Sequence, residues 1–180
     1  YFTVDRPAGV SAETDYPVPI RVGESAGAAG YDLHCAGHCK SDFSDVRFTL
    51  ADGETTMPLR IESVSGVSPN QTALVWVLFP SIGANTTTAH LYYGRAEAEA
   101  VSSISATFPD FSEDFSGTSL NAAKWTAALE GSGGITVSGG VLRLNCPDGA
   151  TNRAKITSKT EFSYNTAIRC RMRFKKFSAN

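Results

Sequence analysis

The sequence predicts an all-β protein: an antiparallel, jelly-roll-like β-sandwich followed by a second, incomplete β-sandwich. Three observations carry that expectation. Short segments rich in Val, Ile, Thr, Tyr and Phe recur along the 180 residues, and these residue types fit a pleated, half-buried surface. Period-two alternation is the second, as in IRCRMRFKKF, where Arg169, Arg171, Arg173 and Lys175 interleave with Cys170, Met172 and Phe174. Turn chemistry is the third: Asp52-Gly53 and the Ser-Gly-Gly of 138–140 each sit between two such segments.

Taken in chain order, the expected strands are YPVPIRV (16–22), DVRFTL (45–50), MPLRIES (57–63), TALVWVLF (72–79) and TTTAHLYY (86–93), then GITVS, VLRLNC, AKITSK and TAIRCRMRF. One stretch, RAEAEAVSS (95–103), reads as helix-like. The chain therefore divides into an N-terminal segment (1–13), a first sandwich module (14–103), a linker (104–112) and a second β module (113–180). Short strands at this spacing imply sheets packed face to face rather than alternating strand and helix.

Composition narrows the function classes. With 42% apolar and 10% aromatic residues, the bulk of the chain can bury a core and is not disordered. The longest apolar run, Ala73 to Phe79, is far shorter than the roughly 20 residues that cross a bilayer as a helix, so no membrane span is expected. The net charge of −2 conceals an asymmetry: residues 1–110 hold 6 Lys and Arg against 13 Asp and Glu, whereas residues 111–180 hold 10 against 5. The basic residues of the second part lie on alternating strand positions instead of in a cluster, so no nucleic-acid partner is expected. The chain opens on Tyr1 without an initiating Met, and we read it as a mature or trimmed product.

The segments CKSDFSDVRFTLADGETTMPLRIE, ALVWVLFPSI and TTTAHLYYG, over about residues 14–100, resemble in order and spacing an uncharacterised bacterial and archaeal domain-of-unknown-function family of large surface or secreted proteins. The resemblance implies an extracellular or cell-surface location and no established activity. Leu59 and Arg60 stand where that family usually has an aromatic pair, so no aromatic ligand platform is expected there. FSEDFSGTSLNAAKWTAALEGSGGITVSGGVLRLNC is similar to the opening of concanavalin A-like, laminin-G-like jelly rolls. This second resemblance implies glycan binding or an adhesive spacer, with Trp125 as a buried anchor. A complete domain of that kind needs roughly twice the residues present after 112, by the ordinary size of sandwich domains. The second sheet is thus expected to be completed by further residues or by a partner chain, because bare strand edges accept strands.

The stretch LHCAGHCKSDF places His34, Cys35, His38 and Cys39 within six positions. Haem attachment needs Cys-x-x-Cys-His, which is absent. Zinc suits imidazole and thiolate ligands, but four ligands from six residues are cramped. We therefore expect disulfides, Cys35 with Cys39 and Cys146 with Cys170, in keeping with an even cysteine count in an extracellular setting. Asp42, Asp45 and Asp52 offer the oxygen ligands that calcium takes. Their spacing is not that of an EF-hand, and strand-entry and turn roles account for Asp45 and Asp52, with Arg47 a partner for one of these acids. No metal site and no cofactor, calcium and zinc included, is expected.

No Gly-x-Ser-x-Gly turn, phosphate loop or dinucleotide fingerprint occurs. The adjacent Glu113 and Asp114 would diverge on an extended strand, and His90 reads as a strand position, so the chain is not expected to be an enzyme. Trp76, Phe79, Tyr92 and Tyr93 could stack on sugar rings. Core packing accounts for Trp76, and strict alternation would send Tyr92 and Tyr93 to opposite faces, which leaves the ligand-binding residues unassigned. Sequons occur at Asn70 and Asn85. The expected function is a non-catalytic extracellular or cell-surface binding or adhesion module, directed at a glycan or a surface. The alternative is a structural subunit of a filament, sheath or viral fibre whose copies, or neighbouring domains, share strands.

Overall fold

Backbone pairing in this chain is nearly all antiparallel, as its alternating segments dictate. The computed structural model describes residues 1–7, 9–84, 86–163 and 167–173, and it falls into two units, Tyr1–Glu113 and Asp114–Asn180. The first holds β1 (Phe2–Asp5), β2 (Glu13–Gly23), β3 (Leu33–His34), β4 (Arg47–Leu50), β5 (Thr56–Met57), β6 (Leu59–Ser65), β7 (Thr72–Ile82), β8 (Thr86–Tyr92) and the single-turn helix α1 (Ile104–Thr107). Two four-stranded sheets result, β1-β8-β4-β5 and β3-β2-β7-β6. Among the described residues, only the short β2–β3 pairing is parallel.

Register explains the core. Opposite one another on β2 and β7 stand Val18 and Val77, Ile20 and Val75, and Val22 and Ala73, so one face of that sheet is continuously apolar. Phe48 of β4 pairs with Met57 and Leu91 on the other sheet. These inward faces meet in one cluster that also holds Cys35, Phe43, Val46, Leu59, Phe79, Ile82 and Ala89. This is the all-β sandwich the sequence predicts.

Three local departures have physical causes. The expected strand 57–63 is cut at Pro58: Met57 pairs in one sheet and Leu59 onward in the other, because proline offers no N–H to continue a ladder. The helix-like stretch 95–103 forms no helix. Its carbonyls are taken by outside donors, Lys40 Nζ to the Ala98 oxygen at 2.8 Å and the Arg47 guanidinium to the Glu99 oxygen, and so short a run cannot sustain a helix alone. Residues 1–13, read from sequence as an unassigned segment, contribute β1, whose Phe2 ring sits edge-on to Phe48 at 5.9 Å.

Residues 102–108 run along the outer side of β6 and β7. The Ser102 hydroxyl accepts from the Ile61 amide, and the Ser103 amide donates to the Leu59 carbonyl. Trp76, on the outward face of β7, donates through Nε1 to Glu62 at 2.6 Å and meets Phe108 edge-on at 5.5 Å. Trp76 therefore packs outside the central core, under this strap.

The second unit contains β9 (Trp125–Glu130), β10 (Gly134–Ser138), β11 (Val141–Asn145) and β12 (Arg153–Ser158), arranged as the ribbons β9–β12 and β10–β11. Ser138 faces Val141 across Gly139 and Gly140, with φ of 56° and 74°, the two positive values that a tight primed hairpin turn requires. Trp125 is half-buried and stacks on Phe115 at 6.0 Å. Among the described residues of TAIRCRMRF, 167–173, no strand forms; Thr166 and Phe174 lie outside the described residues.

Candidate functional site

The outer end of β4 and β8 carries a surface feature with mixed aromatic and charged lining. Arg47 stands directly opposite Tyr92 across the β4–β8 ladder, so both project from the solvent side of the sheet while Phe48 and Leu91 turn inward. β8 ends at Tyr92, and Gly94 with φ 91° turns the chain away. Alternation no longer governs Tyr93, and both tyrosines line one open cleft of about 560 Å³. Arg95, Glu97, Ala98 and Glu99 form the far wall.

Beneath the cleft, Asp45 acts as a latch. It is 2% exposed and accepts from the amide of Lys40 at 2.9 Å and that of Gly94 at 2.7 Å. One carboxylate thus joins the loop before β4 to the end of β8, and charge-assisted bonds of this kind are stronger than neutral ones. Among the described residues Arg47 finds no acid partner, contrary to expectation: its guanidinium donates to the carbonyls of Ser44, Val46 and Glu99. The side chains of Arg95, Glu97 and Glu99 carry no hydrogen bond or ion pair among the described residues. Tyr92 and Tyr93 are 47% and 38% exposed. The cleft therefore offers two aromatic faces, one cation and two carboxylates available to a ligand.

The other acids singled out in the sequence, Asp42 and Asp52, serve nearby amides in turns. Asp42 accepts from the Ser44 amide at 3.0 Å, and this bond lowers its pKa. Asp52 accepts from the Thr55 hydroxyl and from the amides of Thr55 and Glu54, and the Thr55 hydroxyl is the largest cause of its lowered pKa. With Asp45 in the latch, these three acids are not gathered. Among the described residues, no group of three or more His, Cys, Asp or Glu side chains is placed to hold a metal ion.

All four cysteines are free thiols here. Cys35 is buried and Cys39 half-buried, and each thiol is the largest influence on the acidity of the other. Cys146, just past β11, and Cys170 are exposed. Asn70 accepts from Ser25 Oγ at 2.7 Å; Asn85 lies outside the described residues. A second buried carboxylate, Glu24, accepts from Ser68 Oγ at 2.6 Å and from the Gln71 amide at 3.3 Å. Sequence reading missed Glu24, Arg95, Glu97 and Glu99. The available signal was Tyr-Tyr-Gly-Arg, a strand that ends in a glycine turn.

Fold and cleft together define an antiparallel β-sandwich with an open, mixed-polarity surface groove. Residues 42–128 match the family model described as a domain of unknown function, DUF2341. The match starts after β3 and ends inside β9, so it crosses the division at Glu113, whereas the resemblance seen in the sequence spanned about 14–100. No curated protein and no solved structure matches the chain.

Proposed function

We propose that this chain is a non-catalytic binding module of an extracellular or cell-surface protein, directed at a glycan, and that it holds the sugar in the cleft beside Tyr92 and Tyr93. The observation that carries this reading is the pairing of two exposed tyrosine rings with the unpartnered side chains of Arg95, Glu97 and Glu99. A pyranose presents apolar C–H faces and a rim of hydroxyls, which suits aromatic faces bordered by planar polar groups. The buried carboxylate below, Asp45, already accepts two amide protons, which fits a supporting role better than proton transfer to a ligand. The surface-protein resemblance of the first module agrees with an external location.

A glycan array on monodisperse protein, followed by titration of the sugars retained, tests the proposal. Tyr92→Ala or Tyr93→Ala should weaken binding by about tenfold, the scale of one aromatic contact, while the circular dichroism stays that of the parent. No retained sugar, or unchanged affinity in both variants, overturns it.

The alternative, a structural subunit that shares strands with its copies, is favoured by one observation. In the second unit Leu129, Val141 and Leu144 are 45–51% exposed on two-stranded ribbons, and ribbons with open edges accept further strands. Ordered polymers by electron microscopy, combined with an empty glycan array, would favour this reading.

A further inference from the structure

The sequence Cys-Ala-Gly-His-Cys at 35–39 folds into a loop pinned on all sides. Ala36 and Gly37 take φ of 52° and 80°, and two successive left-handed residues reverse the chain between the cysteines. The His38 amide donates to the Cys35 carbonyl at 2.9 Å and closes the turn. Cys35 and Gly37 donate to the carbonyls of Gly23 and Glu24 at 2.9 and 2.8 Å, which ties the loop to the end of β2. On the far side, Lys40 donates to Asp45. The backbone thereby turns both cysteines of one closed loop to the edge of the same core cluster, Cys35 within it and Cys39 packed against it.

We infer that Cys35 and Cys39 form a reversible dithiol–disulfide site, in which Cys39 is the sulfur that meets an oxidant of the small-molecule disulfide class and Cys35 resolves the adduct. Deprotonated Cys39 attacks one sulfur of the oxidant; a mixed disulfide forms and one thiolate leaves, taking up the proton. Cys35 then gives up its proton and attacks Cys39 Sγ, which forms the internal bridge and releases the second thiol. The protein loses two hydrogens, and one disulfide is reduced to two thiols.

Access and acidity set this order. Cys35 is 0% exposed, whereas Cys39 is half-buried at the surface. Interaction with the Cys35 thiol is the largest cause of the lowered Cys39 pKa, against the opposing effects of burial and of the Asp45 and Glu24 carboxylates. The same interaction, with burial and those charges, pushes Cys35 up. Thiolate character and access decide which cysteine reacts first. The bridge adjoins Lys40, whose Nζ holds the Ala98 carbonyl in the cleft wall, yet the proposal does not depend on what the cleft binds.

The test treats the full chain with oxidised glutathione and maps its peptides by mass without reduction. The expected product links Cys35 to Cys39 and reverts with dithiothreitol, while exposed Cys146 and Cys170 report that the oxidant was active. Cys35→Ser should trap one glutathione on Cys39, and Cys39→Ser should leave Cys35 at least about tenfold slower to react, as burial of a thiol demands. Should either variant fail to fold, the time course of the unmutated protein serves instead, with a Cys39 adduct preceding the bridge. Separate stable adducts on both residues, equal reactivity of Cys35, or no linkage once Cys146 and Cys170 have reacted would each overturn the inference.

Discussion

The two units are made of the same material and end in different states. In the second, the β9–β12 register puts Trp125, Ala127, Leu129, Ala154 and Ile156 with Ser158 on one face and Thr126, Glu130, Arg153, Lys155 and Thr157 with Ala128 on the other. That is close to the alternation of a half-buried sheet. Yet Val137 is the one hydrophobic residue of the unit that is buried among the described residues, while the first unit closes a cluster of fourteen. Alternation defines ribbons and their faces. Stability comes from a second layer laid on the apolar face, since burial contributes roughly 25 cal/mol per Å² and an isolated hairpin is marginal in water.

The largest expected effect tests that contrast directly. Phe48 is 0% exposed between the sheets, so Phe48→Ala should cost the first unit about 3–5 kcal/mol, the range for emptying a core aromatic. Leu144, 45% exposed on β11, already has much of its surface in water, and Leu144→Ala should cost under about 1 kcal/mol. Urea unfolding followed separately in each unit gives both numbers. Comparable losses at the two sites would mean that Leu144 is covered in solution, and the contrast between the units would fail.

Asp45→Ala is next in size. It leaves the amides of Lys40 and Gly94 without their acceptor and should cost about 2–3 kcal/mol, because losing a buried acceptor strands its donors. Hydrogen exchange at those two amides should accelerate more than elsewhere in the first unit, which separates a broken latch from general loosening. Unchanged exchange at Gly94 would show that the cleft floor is held by other bonds.

Much of the fold was legible because the cue is local. A period of two, a Gly-Gly turn and Asp52-Gly53 need no knowledge of distant residues, and β7, β8, β10 and β11 follow from them. What stayed hidden depends on contacts far apart in the chain. Nothing in Phe2 to Asp5 reveals that β8 lies beside it, and WTAALE, half of it Ala and Thr, carries little strand signal before Arg153–Ser158 supplies its partner. The site was legible only in part for the same reason. Tyr92 and Tyr93 were singled out, but their convergence depends on where β8 stops. Asp45 was visible as an acid at a strand entry, whereas its second bond, to Gly94, spans 49 positions.

The smallest effect concerns acid. Asp42 and Asp52 both lie in the first unit, and both have lowered pKa values, from the Ser44 amide for Asp42 and chiefly from the Thr55 hydroxyl for Asp52. A carboxyl whose folded pKa lies below its unfolded value of about 3.9 favours the folded state while ionised. That contribution is fully present above the unfolded pKa and is lost as pH falls through the folded one. Between about pH 7 and 5 these two residues should leave stability unchanged, and below about pH 4 the turns at 42–44 and 52–55 should loosen. Carboxyl-carbon titration by NMR should place both midpoints under the ordinary aspartate value. Asp52→Asn, which cannot ionise, should flatten the acid limb of the first unit's unfolding curve without touching that of the second. An Asp52 midpoint at or above the ordinary value would mean that the Asp-Gly turn holds its shape through the backbone of Gly53 alone, and the side-chain bonds to Thr55 would not be part of what orders it.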